Sequence, residues 1–219
     1  MNKIDIITIN LNNKEGLRKT IESVINQTRF DLINYIIIDG GSTDDSLDII
    51  KQYQDKIDYW VSEKDNGIYN AFNKAIQAST SEYSLYLNSG DYLCENNIIE
   101  RLYDSLDADI VYGNEWKEKN GRKTIAKYPD KLDENFFKKT ALPHQSTFIK
   151  TQLLKEHPYS EEYKLLGDWM WLRERIMVDK VTYKHIPIPI SVYGLDGIST
   201  RERNLHNQEK EKYYKLKNF

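Results

Sequence analysis

Three features of the sequence predict an α/β fold, a mostly parallel central sheet flanked by helices. Short apolar runs alternate with stretches of helical period through the first half of the chain. The apolar runs are continuous rather than alternating, as strands covered on both faces require. The segments between them are rich in Gly, Asp, Asn and Ser, which turn the chain and cap helices.

The elements follow in order. KIDIITI reads as a buried strand, and LRKTIESVINQ as an amphipathic helix with Leu17, Ile21, Val24 and Ile25 on one face. NYIIID is a second strand and SLDIIKQYQ a helix. IDYWVS and IYNAFNKAIQA form the next pair. YSLYLN is a fourth strand, NNIIERLYDSL a helix and ADIVYGNEW a strand. Beyond it, GRKTIAKYP reads as an added strand or hairpin arm, QSTFIK as a short strand and LGDWMWLRERIMV as a helix. VTYKHIPIPISVY reads as one or two strands broken by Pro187 and Pro189. The charged tail, 200–219, reads as a partly amphipathic helix. With no repeat and no Pro/Gly-rich linker, residues 1–219 form one domain, softly divided near Asn114.

Composition narrows the class. With 34 acidic against 31 basic residues the net charge is -3, which argues against nucleic acid as a partner. Aromatics make up 12% of the chain, enough for a packed core where a disordered chain would have few. A single cysteine, Cys94, cannot form an intramolecular disulfide and fits a reducing, cytoplasmic compartment. The N-terminus has no long apolar run or small-residue cleavage site, so no signal peptide is expected, and no stretch approaches the roughly 20 apolar residues of a membrane span. GxGxxG, GxxxxGK[ST] and GxSxG are absent. His144, His157, His185 and His206 lack zinc spacing.

The polar residues that remain cluster at the carboxyl ends of the strands, where open α/β sheets bind ligands. Thr8, Asn10 and Asn12 follow the first strand. Asp39 ends the second, before Gly40, Gly41, Ser42 and Thr43; this is either a capped loop or a carboxylate aimed at a base or ribose. Asp65, Asn66 and Gly67 make a turn after the third strand. Lys74 behind it is either a phosphate contact or a solvated helix charge. Asn88, Ser89 and Asp91 follow the fourth strand, as a plain turn or as a weak site for a hard divalent ion completed by diphosphate oxygens. In the second half, His144 precedes a short strand in either a structural or a functional role. Asp168 sits among Leu166, Trp169 and Trp171. Desolvation there is expected to raise its pKa and suit a general base, the alternative being a helix N-cap.

Taken together, ITINLNN, IDGGSTDDS, SEKDNGIYNAFNKAI, LNSGD, PHQSTF and LGDWMW, in this order from Ile7 to Trp171, resemble the family-2 glycosyltransferases of GT-A (Rossmann-like) fold. The likeness is to small single-domain members that build bacterial surface polysaccharides. It implies a sugar transferred from a nucleotide-sugar donor, a UDP-sugar by expectation, to a saccharide or lipid-linked saccharide, with inversion. It also implies a nucleotide-binding half over 1–114, an acceptor-side half over 115–199 and a helical tail over 200–219. Asp39 would contact the base, with Thr8 and Asn10 lining its pocket. Asp65 would sit near the base or ribose, and Lys74 near the diphosphate or donor sugar. Ser89, Gly90 and His144 would lie in the donor-diphosphate region. Asp91 would hold Mn²⁺ or Mg²⁺, and Asp168 would deprotonate the acceptor hydroxyl.

Two departures stand out. Many relatives carry two or three acidic residues where this chain has Asn88, Ser89 and Gly90, and many carry Asp in place of Asn70. The alternatives are a non-catalytic nucleotide-binding member of the fold, suggested by the thinned acidic motif, and a sugar nucleotidyltransferase, which needs a better Gly-rich basic loop than NLNNKEG. The lysine-bearing tail, through Lys210, Lys212, Lys215 and Lys217, is expected to pack on the sheet, pair two subunits or touch the inner face of a membrane.

Overall fold

The computed structural model describes residues 4–195 and 203–216. Among the described residues nine strands form one sheet: β1 (Ile4–Asn10), β2 (Ile33–Asp39), β3 (Tyr59–Ser62), β4 (Tyr83–Tyr86), β5 (Tyr92–Leu93), β6 (Ile110–Lys119), β7 (Arg122–Ala126), β8 (Thr147–Lys150) and β9 (Tyr183–Gly194). Their order is β3-β2-β1-β4-β8-β6-β9-β5, with β7 paired to the outer half of β6. The pairs β3–β2, β2–β1, β1–β4 and β6–β9 are parallel, while β8 runs antiparallel to both β4 and β6.

The helices are α1 (Lys14–Ile25), α2 (Ser46–Gln52), α3 (Ile68–Ala78), α4 (Ile98–Leu102), α5 (Glu134–Lys139), α6 (Thr151–Glu156), α7 (Gly167–Arg173) and α8 (Arg203–Leu216). A π-helical turn, Glu174–Val178, continues α7. No helix among the described residues is long and apolar enough to cross a membrane.

Strand parity builds the two layers. Ile4 and Ile6 of β1 with Ile33, Tyr35 and Ile37 of β2 pack against α1, α2 and α4. Ile7 and Ile9 with Ile36 and Ile38 face α3, α7 and Tyr213 of α8. Both faces are therefore covered, which is why these strands are continuous apolar runs.

Some elements differ from expectation. β9 is a single strand: its prolines bend it without breaking it. Pro189 lies opposite Asn114, where the β6–β9 register shifts, so the missing N–H falls at an irregularity rather than in a regular ladder. Asn114 itself lies within β6, which continues unbroken to Lys119. β5, α5 and α6 are short elements with no counterpart in the sequence reading. The tail helix α8 packs on α5 and α7 rather than on the sheet. Lys210 Nζ donates to the carbonyls of Phe137 and Lys138 at 3.1 and 2.9 Å, and the Tyr213 ring meets Trp169 edge-on at 5.4 Å. The inward direction of Lys210 removes it from any membrane-facing set, and Lys217 lies outside the described residues.

Candidate active site

The chain builds β1, β2 and β3 outward and then returns to place β4 on the other side of β1. This reversal opens a crevice between the carboxyl ends of β1 and β4. The two loops at the crevice are stitched together. Ser89 N–H donates to Ile9 O at 3.0 Å, and Asn13 Nδ2 donates to Ser89 O at 2.9 Å. Thr20 of α1 donates to Asp91 O at 2.6 Å and accepts from Gly90 N–H at 3.0 Å. Gly90 has φ +104°, a conformation that side chains disfavour and glycine adopts freely.

Asp39 ends β2 directly opposite Asn10, the last residue of β1. Its Oδ1 accepts from Asn10 Nδ2 at 2.7 Å and Ser42 Oγ at 2.6 Å. Its Oδ2 accepts from Ser42 N–H at 2.9 Å and Ser62 Oγ at 2.6 Å. Burial pushes the carboxyl up, but the Ser42, Ser62 and Asn10 hydrogen bonds outweigh it and hold the pKa below its ordinary value. Asp39 is fully buried with both oxygens engaged, and it ties three strand ends together at the carboxyl edge of the sheet. Thr8 is also fully buried, its hydroxyl 3.0 Å from Tyr35 Oη, one layer beneath the crevice. Asn10 Oδ1 is a buried oxygen with no partner among the described residues.

Asp65 and Lys74 are brought together: Lys74 Nζ lies 2.6 Å from Asp65 Oδ1 and 2.7 Å from Glu63 Oε1. Burial lowers the Lys74 pKa, but the two carboxylates raise it further, leaving it above its ordinary value. Its charge is thus internally compensated. The Asp65 carboxylate closes over Gly40, where a Cβ would meet Asp65 Oδ2 at 3.0 Å and Leu11 Cδ1 at 3.4 Å. Leu11, 61% exposed at the tip of the β1 loop, gives this edge an apolar rim.

A polar chain crosses the other side of the crevice. Asn88 Nδ2 lies 3.2 Å from His144 Nε2, and His144 Nδ1 lies 3.1 Å from Asp168 Oδ2. Asp168 Oδ1 accepts from Tyr69 Oη at 3.0 Å and from Trp169 N–H at 2.8 Å. The expected rise in the Asp168 pKa is not found. Burial does push it up, but the hydrogen bond and charge of His144, with the Trp169 and Tyr69 donors, bring it below the ordinary value. For His144, burial lowers the pKa, while Asp168 and then Asp91 and Glu115 raise it above the ordinary value. The pair is a carboxylate facing an imidazole that is readily protonated. Asp168 is not the N-cap of α7, since that position belongs to Leu166.

Asp91 is buried and accepts Gly194 N–H on Oδ1 at 3.0 Å. Burial pushes its pKa up to about 7 despite the pull of His144. A carboxylate so placed is short of compensating positive charge, and Asn88 Oδ1 on the same turn is a buried oxygen without a partner among the described residues. Oxygen donors of this kind fit a hard divalent cation, provided that a diphosphate supplies most of the remaining ligands. The protein alone does not build such a shell: among the described residues, no three His, Cys, Asp or Glu side chains converge.

Several contributors escaped the sequence reading. Ser62 and Tyr69 donate to Asp39 and Asp168 from β3 and α3. Gln145 donates to buried Glu115, which also accepts from Tyr128 Oη at 2.7 Å, and so anchors the segment carrying His144. Glu209 of α8 accepts the N–H groups of Lys164, Leu165 and Leu166 at 2.7, 3.0 and 3.0 Å, just before α7. These pairings span separations too long for local patterns.

Comparison with known proteins adds to this geometry. The family model described as glycosyl transferase family 2 matches residues 5–157, ending before Asp168. An uncharacterized glycosyltransferase of Mycobacterium tuberculosis is 27% identical over 199 residues, covering 88% of this chain and 76% of the relative. A PGL/p-HBAD biosynthesis glycosyltransferase of Mycobacterium bovis is 28% identical over 172 residues, covering 75% of this chain and 66% of the relative. Among solved structures, S. aureus TarS 1–349 in complex with UDP superposes with a TM-score of 0.69 at 18% identity, over 88% of this chain and 60% of that one. The mannosyltransferase PcManGT from Pyrobaculum calidifontis, in complex with GDP-Man and Mn²⁺, gives 0.66 at 13% identity, over 87% of this chain and 56% of that one. At these identities the structural likeness establishes the GT-A fold alone.

Proposed function

Since the chain belongs to glycosyl transferase family 2, we propose that it moves a sugar from a nucleoside-diphosphate donor to a saccharide hydroxyl, inverting the anomeric centre. A UDP-sugar is the donor in this reading. The acceptor is a saccharide or lipid-linked saccharide of a cell-surface polysaccharide or glycolipid. The observation that carries the proposal is the chain Asn88–His144–Asp168–Tyr69 along one wall of the β1/β4 crevice. The relatives that carry nucleotides or nucleotide-sugars by name, TarS with UDP and PcManGT with GDP-Man, support the donor class.

The chemistry follows from the residues. A sugar hydroxyl is a weak nucleophile at neutral pH and needs a positioned base. Asp168 stays ionised because its pKa is held low. Tyr69 and Trp169 engage Oδ1, while Oδ2 has only His144 and retains a lone pair for the incoming hydroxyl. As the hydroxyl oxygen bonds to the anomeric carbon, its proton passes to Asp168 Oδ2 and the bond to the diphosphate breaks on the opposite face. His144 steadies the carboxylate throughout. Asn10 Oδ1 and the Leu11 rim lie where the nucleoside would bind, while Asp39 and Asp65 shape that end from behind. Asp91, with Asn88 Oδ1 beside it, would hold Mn²⁺ or Mg²⁺, whose charge would offset that of the departing diphosphate.

Two measurements test the reading. Thermal shift with UDP, GDP, dTDP and CMP, each with and without Mn²⁺ or Mg²⁺, is expected to give a metal-dependent rise for one nucleotide. Asp168→Asn is expected to lower transfer at least about 100-fold, within the range of general-base catalysis, while preserving that shift. Equal loss of transfer and nucleotide binding would refute the base assignment. No shift with any nucleotide would favour a non-catalytic member of the fold.

A further inference from the structure

The β6–β7 hairpin is the most strongly charged segment outside the site. Trp116–Lys127 holds Lys117, Lys119, Arg122, Lys123 and Lys127 against Glu118 alone, in a chain of net charge -3. The hairpin is rigid by construction. Its turn residues Asn120 and Gly121 have φ of 50° and 74°, the pair of positive values that a two-residue type I′ turn requires. The register then sets Lys119 directly opposite Arg122 and Lys117 opposite Thr124.

The two faces of the hairpin differ. On one, Glu118 bonds Lys19 and Tyr92 Oη, both at 3.0 Å, and Lys123 lies over the Tyr92 ring, so charge and packing are satisfied. On the other, Lys117, Lys119, Asn120, Arg122 and Thr124 line a cleft of about 590 Å³ with Leu195, and among the described residues no carboxylate lines it. Lys117 leans on buried Glu115 at 3.4 Å. Lys119 and Arg122 have no carboxylate partner among the described residues. Like charges directly opposite on a two-stranded ribbon destabilise it unless an anion lies between them.

The cleft is joined to the candidate active site. Leu195 N–H donates to Glu118 O at 3.0 Å, and the preceding residue, Gly194, donates its N–H to Asp91. The cationic cleft therefore adjoins the turn that faces the donor diphosphate, on the side where β6 and β9 carry the acceptor half.

We propose that this cleft binds a phosphate or diphosphate group carried by the acceptor. The proposal rests on the glycosyltransferase reading and narrows its acceptor to an anionic, phosphate-bearing class. An Arg fork can take two phosphate oxygens at once, and lysines add point charges. Lys119 and Arg122, with Lys117 shared with Glu115, match a phosphate or diphosphate better than the single charge of a sugar carboxylate. Two sources share this chemistry: the head of a lipid diphosphate at a membrane surface, and a soluble phosphorylated saccharide.

The test uses the full chain saturated with UDP and Mn²⁺, so that the donor site is filled. Inorganic pyrophosphate, titrated while amide resonances are followed, is expected to shift Lys117–Thr124, whereas acetate at equal ionic strength is not. In Lys119→Thr/Arg122→Thr the hairpin affinity should fall at least about tenfold, and the melting temperature should hold or rise because opposed cations are removed. The proposal is overturned if the hairpin does not shift, if acetate matches pyrophosphate, or if the variant binds as the wild type does. Sedimentation with phosphatidylcholine vesicles containing a polyprenyl diphosphate, but not with phosphatidylcholine alone, would assign the membrane source. Pyrophosphate binding without sedimentation would assign the soluble one. None of these readouts requires turnover, so failure of the Asp168 assignment leaves this test standing, and the reverse.

Discussion

Replacing Glu209 with Gln should injure a site on whose walls Glu209 does not lie. Glu209 sits on α8, is 8% exposed, and accepts N–H groups from Lys164, Leu165 and Leu166. Those groups lead into α7, whose second residue is Asp168. Oε2 takes two of the three donors. Glutamine keeps one acceptor oxygen and turns an NH₂ group toward the remaining donors. Losing one or two charge-assisted bonds, each worth about 1.5–3 kcal/mol, gives about 1.5–6 kcal/mol before relaxation. At about 2–4 °C per kcal/mol for a domain of this size, that corresponds to a drop in melting temperature of about 3–24 °C. A displacement of about 1 Å at Asp168 would lower kcat by about 100-fold. The assay is a melting curve together with transfer kinetics: kcat should fall while KM for the donor stays within about twofold, because the nucleotide end of the crevice does not touch α8. A variant that melts with the wild type and turns over at the wild-type rate would refute the argument. If donor KM rose in step with the fall in kcat, the helix would be supporting the whole domain and not the base.

Two further predictions follow from buried contacts. In Asp39→Asn an NH₂ group faces the Ser42 and Ser62 donors, so a loss of about 2–4 kcal/mol is expected at neutral pH. The Asp39 pKa is lowered on folding, so its contribution is present above the unfolded value of about 3.9 and fades as pH falls through the lower folded value. Melting curves of wild type and variant should therefore converge only in that acid range, and a constant gap down to the most acid pH would contradict the assignment. In Gly167→Ala, the new Cβ would lie 2.7–2.9 Å from three carbons of the buried Tyr69 ring. The expected cost is about 1–3 kcal/mol, with a disproportionate loss of kcat because Tyr69 holds Asp168; normal turnover at lowered stability would separate the ring from the chemistry.

Legibility in the sequence tracked the range of the interaction. The parallel half was readable because local periods report burial: α3 was expected over 68–78 and occupies Ile68–Ala78. Strand ends were readable too, since polar residues interrupt apolar runs at Asp39 and Asn88. The direction of the Asp168 pKa was not. Its aromatic neighbours argued for desolvation, but the deciding donors, His144 and Tyr69, lie 24 and 99 residues away along the chain. The surroundings of Asp39 were hidden for the same reason: its partner Ser62 lies on the next strand, 23 residues away.

The departure at Asn70 shows how such long-range contacts set a residue's identity. Asn70 Nδ2 donates to Glu161 Oε2 at 3.1 Å, and Asn73, one turn later, donates to Glu161 Oε1 at 3.0 Å and to Tyr159 O at 2.9 Å. Here α3 binds the segment that leads through Lys164 to α7. An aspartate at position 70 would face Glu161 as a like charge and loosen that seam, whereas asparagine supplies the donor it needs. The seam and the Glu209 clamp grip the same short stretch, residues 159–166, from opposite sides. Asp168 therefore depends on two distant helices for its position, while the aromatic residues around it supply burial and, through Tyr69 Oη, one hydrogen bond to Oδ1. A carboxylate fixed in this way can remain ionised in a largely apolar wall because each of its oxygens already has a donor.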